Sequence, residues 1–243
     1  MIIDDLIQGS DEWLRMRVGM CTGSRVGDVM AKRKKGTEEL ACRADYRKEL
    51  VIERLTGLAY EHYVSKYMEW GTEQEPLART EYELATGAEA TPIGFAMHDR
   101  IKWFGASPDS LIGTDGVLEI KAPATNNHLD ILLTGVIPED YRWQMLAEMT
   151  CADRQWCDFV SFDPRLPKKF QLFIRRVHRD EIKIAEMELE VEKFLEEVDQ
   201  AMMRLEACSP LTDDLTGILS ATAQQVQSPD AATESRNPVA VPF

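Results

Sequence analysis

The segment Ser107-Pro-Asp-Ser-Leu-Ile-Gly-Thr-Asp-Gly-Val-Leu-Glu-Ile-Lys121 decides how the rest of the chain is read. Two runs of strand-forming residues, Asp109–Ile112 and Val117–Lys121, flank the turn Thr114-Asp115-Gly116, which is the pattern of an antiparallel hairpin. Alternate side chains of an extended strand share a face, so Glu119 and Lys121 project together while Ile120 turns into the core. The hairpin folds Asp109 back toward them. Two carboxylates and an ammonium converging at the end of a sheet suit a hard divalent cation, because Mg²⁺ takes oxygen ligands at about 2.0–2.1 Å and keeps several waters. The carbonyl of Ile120 adds a further oxygen. A surface hairpin closed by a cross-strand ion pair has the same local sequence, so the flanking segments must decide between the two.

Upstream, Ser10 is set to cap a first helix with acids in its first turn and Trp13 turned inward, and a second start follows at Thr22-Gly-Ser24. The basic cluster Lys32-Arg-Lys-Lys35 opens a polar loop, and a helical run covers about Ala44–Leu55. From Tyr63 to Thr86 apolar residues recur at helical spacing, but Pro76 predicts that two helical pieces meet there. Runs of strand type at Thr91–His98 and Ile101–Ala106 join the hairpin in an expected antiparallel meander. Downstream come a helix over Pro138–Thr150 and strands at Trp156–Phe162 and Lys169–Val177. A long amphipathic helix over Asp180–Ala207 then carries Ile184, Met187, Val191, Phe194, Leu195, Val198, Met202 and Leu205 in one stripe, with Glu188, Glu192 and Glu196 on a solvated face. The order is helices, sheet, helix, sheet, helix, an α/β arrangement with a central mixed β-sheet flanked by helices.

The 243 residues and 44% hydrophobic content support a real core over residues 1–207 and exclude disorder throughout. With 28 Lys+Arg against 42 Asp+Glu the formal charge is −14, which speaks against a basic nucleic-acid coat or a polybasic membrane binder. Residues 180–243 hold 14 acids and 4 bases, so residues 1–179 carry only −4. Residues 208–243 hold four of the eleven prolines with no apolar period, and are expected to be a disordered tail. No membrane span or signal peptide is read, which predicts a cytoplasmic protein. Five scattered cysteines without a C-x-x-C pair indicate reduced thiols rather than disulfides, zinc or an iron–sulfur cluster.

Six ordered blocks over residues 8–205 resemble the lambda-exonuclease, or YqaJ-like viral recombinase, family of the PD-(D/E)xK nuclease superfamily. They are Arg17-Val-Gly-Met-Cys-Thr-Gly-Ser24, Trp70-Gly-Thr-Glu-Gln-Glu-Pro-Leu-Ala-Arg79, Ser107-Pro-Asp109, Glu119-Ile-Lys121-Ala-Pro123, Tyr141-x-x-Gln144 and Phe162-Asp-Pro-Arg165. The resemblance implies a restriction-endonuclease-like core and two Mg²⁺ ions, with Mn²⁺ as a substitute. Asp109, Glu119 and the Ile120 carbonyl would hold one ion and Glu75 the second, while Lys121 orients the attacking water or steadies the phosphate. It implies a 5′-phosphate pocket of Arg17, Ser24 and Ser107 with Gln144 alongside, strand tracking by Lys34, and an apolar wedge at Met68. The expected activity is degradation of one strand of linear duplex DNA from its 5′ end to mononucleotides. The resemblance also implies a homotrimeric ring, and 3′ overhangs passed to a single-strand annealing protein. The alternatives are a structure- or site-specific endonuclease on the same core, or a non-catalytic acidic adaptor that mimics DNA. The tail is expected to be dispensable, so a protein ending at Ala207 keeps full nuclease turnover if that reading holds.

Overall fold

The computed structural model describes residues 1–3, 5–31, 39–60 and 66–208; the basic cluster at 32–35 and the segment 209–243 lie outside the described residues. Strand pairing begins at β1 (Ile2–Ile3), which is followed by helix α1 (Asp11–Arg17), β2 (Cys21–Thr22), a 3-10 turn at Gly23–Arg25, and helices α2 (Val26–Met30), α3 (Ala41–Thr56) and α4 (Lys66–Thr86). Five strands come next: β3 (Ala90–Thr91), β4 (Phe95–Met97), β5 (Phe104–Ala106), β6 (Ser110–Ile112) and β7 (Gly116–Lys121). After these come α5 (Thr125–Thr134), α6 (Glu139–Cys151), β8 (Trp156–Phe162), β9 (Leu172–His178) and α7 (Glu181–Cys208). Internal contacts gather Met1–Met202 into one compact unit.

The sequence predicts a single meander, whereas the strands divide between two sheets, ordered β1-β4-β5-β2 and β3-β6-β7-β8-β9. The change of partner falls at Ser107-Pro108. Proline has no N–H for a ladder, and the next amide, Asp109, donates to the carbonyl of Leu118 at 3.1 Å, so the chain leaves β4 and joins β7. The larger sheet is mixed, with β7 and β8 parallel and the other pairs antiparallel. The predicted α/β class with helices on a mixed sheet holds.

Alternation along β7 sorts its side chains between two cores. Val117 joins Cys157, Phe159 and the faces of α6 and α7, while Leu118 and Ile120 pack with Ala78 and Tyr82 of α4. Gly116 stands opposite Trp156 in register, and a Cβ there would lie 2.2 Å from the indole ring, so only glycine lets β7 and β8 close at this end.

Helix α4 corrects a second expectation, because it passes through Pro76 without restarting. Proline removes one helical hydrogen bond, at a cost of roughly 3 kcal/mol in an exposed helix. Full burial of Ala78 and Tyr82 against the sheet offsets it. The sequence reading also missed α5, whose opening Thr-Asn-Asn is a poor helix former. His128 anchors it, donating from Nε2 to the carbonyl of Phe170 at 2.8 Å and meeting the Ser161 hydroxyl with Nδ1 at 2.7 Å. Of the three glutamates read as solvated on α7, Glu188 is instead half-buried and takes an N–H from Arg100 at 2.7 Å.

The stripe of α7 buries Phe194 completely, stacked on Tyr46 of α3 with ring centroids 5.3 Å apart. Phe194→Ala is expected to lower the unfolding free energy by about 3–5 kcal/mol, measured by urea denaturation, since removing a buried aromatic leaves a cavity that the fixed helix and sheet cannot fill.

Candidate active site

The C-terminal end of β7 opens into a cleft of about 680 Å³ lined by Met68, Glu75, Asp109, Ile120, Lys121 and Tyr141 among others. Pairing of β6 with β7 brings Asp109 back beside Ile120, whose backbone N–H donates to Asp109 Oδ2 at 2.6 Å. Glu119 and Lys121 share the other face, and the Lys121 ammonium lies 2.5 Å from Glu119 Oε1. From α4, Glu75 is ion-paired with Arg79, one helical turn on, which also donates to Ser110 Oγ at 3.0 Å and to the Asp109 carbonyl at 3.3 Å. The uninterrupted helix is what sets this Glu75–Arg79 spacing across Pro76.

Helix α6 supplies two more groups from beneath. Every residue from Trp143 to Met149 is buried, so a polar side chain on this stretch must find a partner inside the protein. Gln144 Nε2 donates to Glu119 Oε1 at 2.7 Å and to Glu148 Oε1 at 2.8 Å. Both amide hydrogens are thereby committed to carboxylates, which leaves Gln144 only its carbonyl oxygen to offer elsewhere. The second oxygens of Glu119 and Glu148 are buried without a partner.

Carboxylates are therefore in excess. Burial, reinforced by Glu119 and Glu75, raises the Asp109 carboxyl well above its ordinary value. Burial does the same for Glu148 with Glu119 beside it, and raises Glu75 in spite of Arg79. Burial alone would depress the Lys121 ammonium, but Glu119 and Asp109 together lift it above the usual lysine range, so it is a cation at neutral pH. No three His, Cys, Asp or Glu side chains among the described residues already stand at metal-ligand spacing. The donor set nonetheless fits a hard cation. It offers oxygen donors only, with two buried carboxylate oxygens left without a partner and acids raised first by burial and then by one another.

A second concavity of about 500 Å³ adjoins the first, with Met68 lining both. It contains Trp13, Arg17, Thr22, Ser24 and Arg25. The loop after Arg17 is held by Gly19, whose φ of 72° favours glycine and whose N–H donates to the buried Glu53 at 2.7 Å. Arg54 closes on the same residue, donating to the Gly19 carbonyl at 2.9 Å. The Arg17 guanidinium lies 3.8 Å over the Trp13 ring, and burial lowers it to about 10, still charged at neutral pH.

Of the predicted residues, Asp109, Ile120, Lys121 and Glu75 line the first cleft and Glu119 and Gln144 are buried behind them, with Met68 lining both this cleft and the second. Arg17 and Ser24 line the second, and Ser107 joins it through Trp13, whose indole donates to its hydroxyl at 3.0 Å. Lys34 lies outside the described residues. Glu148, Arg79 and Trp13 were missed as site residues; the four-residue spacings 144–148, 75–79 and 13–17 on helices were the available signal.

A carboxyl whose pKa is raised by folding binds its proton more tightly in the native state. Stability is then greatest below the unfolded value and declines as pH rises toward the folded one. Glu148→Gln removes that term, so in the absence of divalent cations the variant gains on the parent as pH rises from the ordinary glutamate range toward neutrality and beyond. Chemical denaturation across that range measures it, and an equal gap at every pH would contradict it.

The YqaJ-like viral recombinase domain family matches residues 12–155. Two crystal structures of LHK-Exo, an alkaline exonuclease from Laribacter hongkongensis, one of them in complex with dAMP, are similar at 43% identity and TM-score 0.76, covering 82% of this chain and 97% of that one. A phage-related exonuclease from Haemophilus somnus 129PT shares the fold at 14% identity and TM-score 0.56, over 76% of this chain and 96% of that one. No curated protein matches. With carboxylates and a lysine at one strand end and more than half its length matched, the chain belongs to the YqaJ-like viral recombinase family, whose solved relatives are exonucleases.

Proposed function

We propose that the protein is a Mg²⁺-dependent 5′→3′ exonuclease that degrades one strand of linear double-stranded DNA to mononucleotides and leaves 3′ overhangs for single-strand-annealing recombination. The observation that carries this reading is the pair of joined concavities. One is lined by Asp109, Ile120, Lys121 and Glu75, with Glu119 buried against the Lys121 ammonium, and the other holds the charged Arg17, with Met68 lining both. A strand end whose terminal phosphate sits on Arg17 would place an internal phosphodiester next to the carboxylates. The dAMP held by the similar LHK-Exo is a nucleoside monophosphate, the class of product such a reaction releases.

Asp109, Glu119 and the Ile120 carbonyl would hold one ion and Glu75 the second, with Mn²⁺ able to substitute. Bound there, the cations supply Lewis acidity toward the phosphate and a more acidic water. The chain's own groups do the rest. Gln144 and Lys121 both engage Glu119 Oε1, which leaves the buried Oε2 without a protein partner. Arg79 holds Glu75 against the hairpin. Lys121 keeps an ammonium beside the reacting phosphate, where charge builds up as the bond breaks. Arg17 offers a planar fork to the terminal phosphate, Ser24 and Ser107 add hydroxyls, and Met68 stands where the strands of the duplex must part.

A homotrimeric ring, delivery of the overhang to a single-strand annealing protein and a cytoplasmic location complete the reading. The net charge of −14 would weaken non-specific adhesion of DNA to the exterior. No helix of the described residues is long and apolar enough to cross a membrane.

Digestion of matched DNAs tests the proposal. A linear duplex with 5′-phosphate is expected to disappear rapidly with Mg²⁺ and not without it, its 5′-hydroxyl counterpart slowly, and a closed circle not at all, while Glu119→Ala is inert. A cut circle would make the protein an endonuclease, and no activity on any DNA would favour the acidic adaptor. Lys121→Ala is expected to lower kcat by about 10²–10³ without abolishing Mn²⁺ binding measured by calorimetry.

A further inference from the structure

Trp13 belongs to neither the carboxylate cleft nor the expected phosphate ligands, yet it touches two of those ligands at once. Its indole nitrogen, which can only donate, gives its hydrogen to Ser107 Oγ at 3.0 Å and to the Gly94 carbonyl at 3.0 Å. Ser107 therefore accepts from Trp13, and its own hydroxyl hydrogen must point away from the indole. No described group takes that hydrogen. The other face of the contact is Arg17, four residues later on α1, with its guanidinium carbon 3.8 Å from the ring centroid. Arg25, Arg43, Arg47, Arg54, Arg79 and Arg176 are each held by a carboxylate. Arg17 makes no ion pair among the described residues, and its buried Nε has no partner. A ring fixes the plane of a guanidinium without neutralising its charge or occupying its N–H groups, as an acid would.

We propose that Trp13 is the positioning residue of the 5′-phosphate site: its N–H aims the Ser107 hydroxyl as a donor, and its ring presents Arg17 edge-on and unpaired to a terminal phosphate monoester. The inference rests on the 5′-end reading given above. It adds that discrimination between phosphorylated and hydroxyl ends passes through an aromatic residue that need not touch the phosphate. Trp13 reaches Ser107 across 94 residues of sequence, so the selectivity is built by tertiary packing and not by a local anion loop.

The test compares kcat/KM on 5′-phosphate and 5′-hydroxyl duplexes for the full chain and for Trp13→Phe, Trp13→Leu, Ser107→Ala and the double variant Trp13→Phe/Ser107→Ala. Phenylalanine keeps a ring under Arg17 but has no N–H. Trp13→Phe is expected to lower the preference for phosphate about tenfold, to match Ser107→Ala, and to add nothing in the double variant, with the loss on the phosphorylated end about tenfold greater than on the hydroxyl end. Trp13→Leu, which loses the ring as well, is expected to lower the preference further. Affinities for the two duplexes in Ca²⁺, by fluorescence anisotropy, should show the same pattern without turnover, and melting temperatures identify any variant that fails to fold. A Trp13→Phe enzyme that keeps the parent preference, loses rate equally on both ends, or multiplies its loss with that of Ser107→Ala would overturn the proposal. A parent enzyme that does not distinguish the two ends would overturn the 5′-phosphate reading itself, and this inference with it.

Discussion

The hydrogen bond from the Ile120 amide to Asp109 Oδ2 joins the two arms of a hairpin at the point where the chemistry must sit. It forms because Pro108 breaks one ladder and Asp109 starts another, so the turn away from the smaller sheet and the placement of the first carboxylate are a single event. β7 has a strand on each side, with α4 packed on one face and α6 on the other. Each layer then delivers its acid, Glu75 from above and Glu148 from below, to the same strand end.

That arrangement is costly for a protein without cations. Three carboxyls are raised by burial and by one another, and the compensating groups, Lys121, Arg79 and Gln144, satisfy only some of their oxygens. A fold selected for stability alone would not keep a buried glutamate with an orphan oxygen beside another. That excess of crowded oxygen donors is what a hard cation, if bound, would balance.

Much of this was legible in the chain. Trp156–Phe162 read as a strand to the residue, the α7 stripe is buried from Ile184 to Val198 although its last member, Leu205, is exposed, and Glu119 and Lys121 emerged together on alternate positions of β7. What was not legible depends on partners far away in sequence. Strands of two or three residues cannot show which sheet they join, because Ile2 finds Ala96 and Cys21 finds Phe104 only in the folded state. Pro76 argued for a break that the buried face of α4 overrides. Helix α6 hid Glu148 because a helix buried nearly all round has no polar face to set a lone acid against. The link from Trp13 to Ser107 left no local trace at all.

The parallel pairing of β7 with β8 has a consequence for the order in which the molecule comes into being. Gly116–Lys121 must wait for Trp156–Phe162, and between them the chain has to build α5 and α6 as the crossover. Trp13, made near the beginning, has no Ser107 to orient until nearly half of the chain has been synthesised. At roughly 5–20 residues per second on the ribosome, seconds separate the first pieces of the cleft from the last. No nascent fragment that ends before β8 holds the Glu119–Gln144–Glu148 cluster against its sheet. The carboxylate cluster is thus completed only when the central sheet closes.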